Sequence, residues 1–160
     1  MENQQPVSGQ KRAPRGSSSA KVDDKGRLKL TSEVLKFLDG KKHFFLTTMD
    51  GKSARLYPIE MWDVNEALLQ AKAKAGDWKA EAILNRAIFY GKDEELDDSG
   101  RIHLKIEMRK DFGFEGQDLV LLCKPGGRID IMSERTLREE NARLLELAKH
   151  ELGAVMTDLL

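Results

Sequence analysis

The sequence predicts an α+β fold built from two copies of one structural unit, and two observations support this prediction. The nine residues from Val22 to Leu30 and the nine from Leu96 to Leu104 share one pattern of apolar, Asp-Asp, polar, Gly-Arg, apolar, polar and leucine residues, 74 positions apart. A hairpin signal and then a helix signal follow each copy in the same order. Because duplicated units commonly pair with each other, we expect the two copies to share one core about a pseudo-twofold axis.

The first copy is predicted to contain short strands, a short helix, a hairpin and a long helix. Val22 ends a first strand, a glycine turn follows, and Leu28 and Leu30 alternate with a lysine as in a half-buried strand. The Asp39-Gly40 pair is a suitable helix end, and Asp50-Gly51 between apolar runs predicts a hairpin. The later elements of this copy are therefore a helix over 31–38, strands over 43–48 and 53–57, and a helix over 59–75.

The second copy repeats this order after a connecting segment. Its first strands and turn lie within 96–104, and Ser133 is a suitable N-cap for a final helix. Between the copies, Asp77 and Gly91 are typical of the start and the end of a further helix. The later elements predicted for the second copy are a short helix over 107–112, strands over 119–123 and 128–132, and a long helix from 134.

Two predicted helices carry an apolar stripe. In the connecting helix apolar side chains recur at helical spacing from Ala80 to Ile88, and in the last helix they recur from Leu137 to Leu152. The simplest prediction is that both stripes dock on the sheets of the protein itself. Self-association through the last helix is the alternative. The tryptophans of the predicted helices, Trp62 and Trp78, are likewise expected to be packing residues.

The composition limits the classes of function. Lysine plus arginine and aspartate plus glutamate number 27 each, so the chain is not a general polycation. The single cysteine, Cys123, lies in an apolar run as a small hydrophobe would, and it excludes an intrachain disulfide, which is typical of a cytoplasmic protein. No apolar run approaches the ~20 residues of a membrane span, and no metal-ligand, phosphate-loop or nucleophile motif is present. We therefore expect a cytoplasmic protein that is not an enzyme, with no cofactor and no metal.

The repeated Asp-x-x-x-Arg motif is the candidate functional site. In a tight turn the carboxylate of Asp23 can hold the guanidinium of Arg27, and Asp97 can hold Arg101 in the same way. A guanidinium oriented beside a glycine suits contacts to phosphates and guanine bases. The alternative is an ion pair that only fixes the turn. Basic residues are denser around the first copy, which should dominate any contact with nucleic acid; they are Lys21, Lys25, Arg27 and Lys29.

The two motifs, the duplicated strand-turn-strand frame and the run Leu56–Trp62 (Leu-Tyr-Pro-Ile-Glu-Met-Trp) together resemble the MraZ family of bacterial transcriptional regulators. The resemblance covers about residues 20–152. It implies two tandem AbrB-like swapped-hairpin halves that form a pseudo-twofold β core with flanking α-helices. The expected segments are a flexible tail over 1–19, a first SpoVT-AbrB-like domain over 20–63, connecting helices over 64–92, a second domain over 93–136, and a C-terminal helix and tail over 137–160.

The resemblance also implies a function. It implies a sequence-specific DNA-binding regulator, a repressor of the division and cell-wall gene cluster, which binds tandem promoter repeats on double-stranded DNA as a homo-oligomer such as a ring. Such a protein would be cytoplasmic and associated with the nucleoid, with no membrane and no small-molecule substrate as partners. The family's DNA-contacting motif corresponds to Asp23, Lys25, Gly26 and Arg27, and to Asp97, Gly100 and Arg101. Lys21 and Lys29 are expected to add phosphate contacts.

A rival hypothesis is an AbrB-like protein-interaction scaffold that does not bind DNA, which the zero net charge and the acidic neighbours of the second motif favour. The chain also departs from the family pattern. Thr31 and either Lys105 or Ile106 stand where a proline commonly follows the motif strand, and Leu35 stands where the first short helix is expected to carry an arginine. Arg109 is the corresponding arginine in the second short helix. These differences affect which DNA sequence the protein would bind, and they leave the fold prediction unchanged.

Overall fold

The computed structural model describes residues 12–159. Eight strands and six α-helices follow one another in this part of the chain. A 3-10 turn over Pro125–Gly127 joins the seventh strand to the eighth. The elements are β1 (Ser18–Lys21), β2 (Arg27–Lys29), α1 (Ser32–Leu38), β3 (His43–Thr47), β4 (Ala54–Pro58), α2 (Ile59–Lys74), α3 (Trp78–Tyr90), β5 (Lys92–Glu95), β6 (Arg101–His103), α4 (Ile106–Asp111), β7 (Asp118–Lys124), β8 (Arg128–Ser133), α5 (Glu134–Ala148) and α6 (Leu152–Thr157).

The strands form one six-stranded antiparallel sheet and a separate two-stranded ribbon. The order in the sheet is β1-β7-β8-β4-β3-β5, and the ribbon pairs β2 with β6. Apart from the hairpins β3–β4 and β7–β8, every pairing joins a strand of the first copy to a strand of the second. The counterparts in the two copies are β1 and β5, β3 and β7, and β4 and β8. Exchanging each strand for its counterpart gives the same order in reverse, as a pseudo-twofold axis requires. The predicted α+β class is confirmed.

The predicted capping and turn residues begin and end the helices where the sequence indicates. The side chains of Thr31, Asp77 and Ser133 accept hydrogen bonds from backbone N–H groups in the first turns of α1, α3 and α5. Asp39 ends α1 in the left-handed conformation with φ of 51°. In the β3–β4 turn, the carboxylate of Asp50 accepts two backbone N–H bonds, of 2.9 and 2.8 Å. Local chemistry therefore determines these boundaries.

One apolar cluster joins the ribbon to the sheet and to the short helices α1 and α4. Leu28 and Ile102, which face each other in the ribbon, are fully buried in it. Burying side chains of this size stabilises a fold by about 1.5–3 kcal/mol each. The two aliphatic side chains therefore determine which face of the ribbon points outward. A second, smaller cluster contains Tyr57, Trp62 and Ala87, with Phe45 stacked on Trp62 at a centroid distance of 4.6 Å.

The predictions about the helix stripes and one tryptophan are wrong in part. Trp62 is buried as predicted, whereas Trp78 is 71% exposed at the start of α3. In the α3 stripe Ala80 and Ala87 are buried but Ile88 is exposed. No residue of α5 is buried, and Leu144 and Leu145 of its stripe are exposed. Helical periodicity predicts an apolar face but does not identify the surface that covers it, and the sheet does not cover Leu144 and Leu145 of α5.

The structure adds detail to two of the predicted segments. In the segment predicted as a tail, β1 begins at Ser18, residues 12–17 form no helix or strand, and residues 1–11 lie outside the described residues. The predicted C-terminal helix is two helices, because α5 ends at Ala148 and α6 begins at Leu152. Cys123 is half-buried against the main core, and burial raises the pKa of its thiol. Between residues 12 and 159, no helix combines the length and the apolar character that a membrane span requires.

Candidate nucleic-acid interface

The first Asp-x-x-x-Arg motif forms a closed turn between β1 and β2. The Asp23 N–H donates to the carbonyl of Arg27 at 2.8 Å, and the Gly26 N–H donates to the carbonyl of Asp23 at 3.1 Å. One carboxylate oxygen of Asp23 accepts the N–H groups of Lys25 and Arg27, both at 2.9 Å. The other oxygen accepts from Nε of Arg27 at 2.9 Å. A single carboxylate therefore holds both the turn and the arginine.

The second motif repeats this geometry between β5 and β6. The carboxylate of Asp97 accepts the N–H groups of Ser99 and Arg101 at 2.9 Å each, and it accepts from Nε of Arg101 at 3.1 Å. The Gly100 N–H donates to the carbonyl of Asp97 at 3.0 Å. Gly26 and Gly100 adopt φ values of 79° and 75°, where glycine is the residue without a steric penalty. The predicted Asp–Arg pairs are confirmed in both turns.

Each aspartate remains ionised and directs its arginine. The N–H of Arg27 is the main cause that lowers the pKa of Asp23, with the guanidinium contributing, and Arg101 lowers the pKa of Asp97 in the same way. In each pair only the Nε atom of the guanidinium donates to the aspartate. The side chains of Arg27 and Arg101 are 32% and 31% exposed. Within the described residues, the two terminal nitrogens of each arginine are therefore left to contact a ligand.

The two turns are held by contacts that cross between the copies. The Leu30 N–H donates to the carbonyl of Gly100 at 2.9 Å, and the Leu104 N–H donates to the carbonyl of Gly26 at 2.9 Å. Each pair joins the end of one motif strand to the turn of the other copy. Backbone hydrogen bonds thus link the two turns directly.

The short helices also cross to the opposite turn. A side chain at Gly26 would lie 2.9 Å from the guanidinium of Arg109, and one at Gly100 would lie 2.7 Å from Leu35. Arg109 itself donates from Nε to the carbonyl of Leu104 at 3.1 Å and pairs with Glu115 at 3.3 Å. The arginine of the second short helix therefore supports the first turn, and Leu35 supports the second turn by packing.

The ribbon brings four polar side chains to one outer face. Arg27 lies opposite His103, and Lys29 lies opposite Arg101. The residues between them point into the core, because successive side chains of a strand alternate between its faces. Neighbouring outward residues on one strand are about 7 Å apart and the strands are about 5 Å apart, whereas the major groove of DNA is about 12 Å wide and admits a two-stranded ribbon. The outer face has the size and charge for that groove.

The predicted site residues divide into two groups. The ribbon and its turns bring together eight of them: Asp23, Lys25, Gly26, Arg27, Lys29, Asp97, Gly100 and Arg101. Lys21 lies instead in β1 of the six-stranded sheet, where its ammonium is 3.5 Å from Asp118. His103 was not among the predicted site residues, although it stands in the second copy where Lys29 stands in the first. That alignment of the repeat is the signal that could have identified it.

The two turns differ in charge. Lys25 is exposed at the tip of the first turn, and its counterpart in the second turn is Ser99. Both tips carry an exposed second aspartate, Asp24 in one and Asp98 in the other. The first turn is therefore the more basic of the two, as the sequence predicts. No group of three histidine, cysteine or acidic side chains within residues 12–159 is placed to hold a metal ion.

Several known proteins are similar in sequence to this chain. A protein of Koribacter versatilis named "Transcriptional regulator MraZ" is 33% identical over 110 residues, which are 67% of this chain and 74% of the relative. A protein of the same name from Acidobacterium capsulatum is 33% identical over 108 residues, 66% of this chain and 73% of the relative. One from Methylobacillus flagellatus is 26% identical over 140 residues, 86% and 93% of the two chains. No family model matches the chain. On the identity and coverage of these relatives, the chain belongs to the MraZ family.

Proposed function

We propose that this protein is a sequence-specific DNA-binding transcriptional regulator and that the β2–β6 ribbon is its DNA interface. The observation that carries the proposal is the pair of matching turns beside the outer face of the ribbon. In each turn an aspartate holds an arginine next to a glycine. The names of its MraZ relatives support a role in transcription regulation. The rest of the proposal follows the family: a cytoplasmic, nucleoid-associated repressor of the division and cell-wall gene cluster.

In this proposal the side chains have distinct roles. Arg27 and Arg101 contact base edges or phosphates through their terminal nitrogens, because Nε is already bonded to the aspartates. Lys25 and Lys29, both exposed, contact phosphates. Lys21 adds a phosphate contact only if DNA displaces Asp118. The proposed architecture is two tandem AbrB-like swapped-hairpin halves, 20–63 and 93–136, which the crossed strand pairings support.

One ribbon offers few contacts, so we propose that the protein acts as a homo-oligomer on tandem promoter repeats, in a ring or a similar assembly. Linking binding modules raises apparent affinity by ~10²–10⁴. The C-terminal apolar surface supports this proposal, because all its members are exposed; they are Leu144, Leu145, Leu147, Val155, Met156 and Leu159. The ion pairs of α5 lie within the helix, as Arg138 with Glu134 and Arg143 with Glu140 illustrate. A second copy could therefore approach without strong charge repulsion.

The proposed function predicts that the purified chain enriches one short DNA motif from a random duplex library. The observed binding constant should then fall steeply with salt, because each neutralised phosphate contributes about −0.9 to the logarithmic slope. Enrichment of repeated copies of the motif would agree with an oligomer. The protein-interaction scaffold, which the acidic second turn favours, predicts no enrichment at all. That result would contradict the proposal.

A further inference from the structure

His103 lies on the outer face of the ribbon, where nothing in the Asp-x-x-x-Arg motif accounts for it. It faces Arg27 across the two strands and its side chain is exposed, whereas its neighbours Ile102 and Leu104 are buried. It is the counterpart of Lys29 in the duplication. The outer face of the ribbon therefore carries a lysine at one point and an imidazole at the equivalent point of the other copy.

A polar network supports this histidine from behind. Glu94 is buried, with its side chain 6% exposed, and its carboxylate accepts a hydrogen bond from the backbone N–H of His103 at 2.7 Å. The ammonium of Lys92 is 3.2 Å from the same carboxylate and 3.5 Å from Nδ1 of His103. A buried carboxylate requires such partners. The equivalent positions of the first copy hold Ser18 and Ala20, so the duplicated frame itself does not require this network.

The contact with Lys92 indicates which ring nitrogen acts as acceptor. An ammonium is a donor without acceptor capacity, so in a hydrogen bond between Lys92 and Nδ1 of His103 the nitrogen Nδ1 is the acceptor. In the neutral ring the hydrogen is then on Nε2, the nitrogen that does not face Lys92. A single neutral N–H donor beside Arg27 matches the acceptors that a guanine presents in the major groove. It also matches a phosphate oxygen.

We propose that His103 is a further DNA-contact residue, which donates from Nε2 to an acceptor of the duplex, and that Lys92 and Glu94 are its positioning residues. This inference rests on the proposed function, because it concerns the same ribbon. It distinguishes the two halves of the ribbon chemically: the first contributes the ammonium of Lys29 and the second contributes the imidazole N–H of His103. A base-edge acceptor and a phosphate acceptor differ in whether the loss of binding depends on the DNA sequence.

The test titrates variants against the tightest duplex that the wild-type protein selects from a random library, and against an unrelated duplex. His103→Ala should weaken binding to the selected duplex by about 3- to 10-fold, the effect of one hydrogen bond. Its salt slope should stay close to that of the wild type, because the substitution removes a hydrogen-bond donor rather than a lysine or an arginine. His103→Gln, which keeps an N–H donor, should retain most of the affinity. His43→Ala is the matched control, since His43 is an exposed histidine of β3 outside the ribbon.

The contribution of Lys92 is measured in a double-mutant cycle. Lys92→Ala should weaken binding in the wild-type background, have little further effect in the His103→Ala background and leave the salt slope unchanged. Weakening on the selected duplex alone identifies a base-edge acceptor, and equal weakening on both duplexes identifies a phosphate. Wild-type affinity of His103→Ala, or a slope lowered by about one, would overturn the inference. If the Arg27→Ala protein binds the selected duplex like the wild type, the proposed function itself is contradicted.

Discussion

Replacing Arg27 with alanine is expected to weaken binding to the selected duplex by at least about 100-fold, since a good arginine contact is worth about 1–3 kcal/mol and every bound protomer loses it. The carboxylate of Asp23 then remains beside DNA without its guanidinium, which adds repulsion. The fold should persist, because Arg27 is only partly buried and a solvent-accessible ion pair contributes about 0–1 kcal/mol. Fluorescence anisotropy for affinity and thermal unfolding for stability are the measurements.

Two further variants separate the charge of Arg27 from its geometry. Arg27→Lys should keep the salt slope but lose much of the preference for the selected duplex, because an ammonium cannot make the bidentate contact. Arg135→Ala removes an exposed arginine from α5, outside the ribbon, and should bind like the wild type. If Arg27→Ala and Arg135→Ala weaken binding equally, the arginine acts only through the total charge of the protein and the site assignment is wrong.

Replacing both Leu144 and Leu147 with serine is expected to dissociate the oligomer and to lower apparent affinity for tandem repeats by about 10²–10⁴. Both side chains are exposed in the single chain, so their replacement leaves its core intact. Affinity for a duplex with one repeat should change little. Sedimentation analysis gives the assembly state, and titration of one-repeat and multi-repeat duplexes gives the affinities.

The matched control is Val64→Ser with Leu68→Ser, two apolar residues of α2 that are similarly exposed. This variant should assemble like the wild type if the C-terminal apolar surface alone forms the contact between copies. A Leu144→Ser/Leu147→Ser protein that sediments like the wild type would contradict the proposed role of α5. Equal loss of assembly in both variants would place the contact on both surfaces.

The sequence predicts those features of this fold that depend on local chemistry. The caps at Thr31 and Ser133 and the Asp50 turn depend on side chains that bond to nearby backbone, so their positions can be predicted from neighbouring residues. The repeated Asp–Arg turn is local in the same sense. The pairing of β2 with β6 is not local, because three-residue strands carry no signal for a partner about 74 residues away.

The features that the sequence does not predict depend on what covers a surface. The stripe of α5 has the same periodicity whether the sheet or another copy covers Leu144, so the docking prediction failed there. Arg109 matches a family position, but its contact with the opposite turn follows only from the crossed arrangement. His103 lacked a motif of its own, and its place beside Arg27 became apparent only from the register of the ribbon.

Cross-linking shows directly whether DNA binds at the ribbon. In a Cys123→Ala background, a photoactivatable reagent is attached to Lys25→Cys at the tip of the first turn, or to Lys52→Cys in the exposed β3–β4 turn. Irradiation with the selected duplex should give a covalent protein–DNA adduct from position 25 and none from position 52. An adduct from position 52 with none from position 25 would contradict the account.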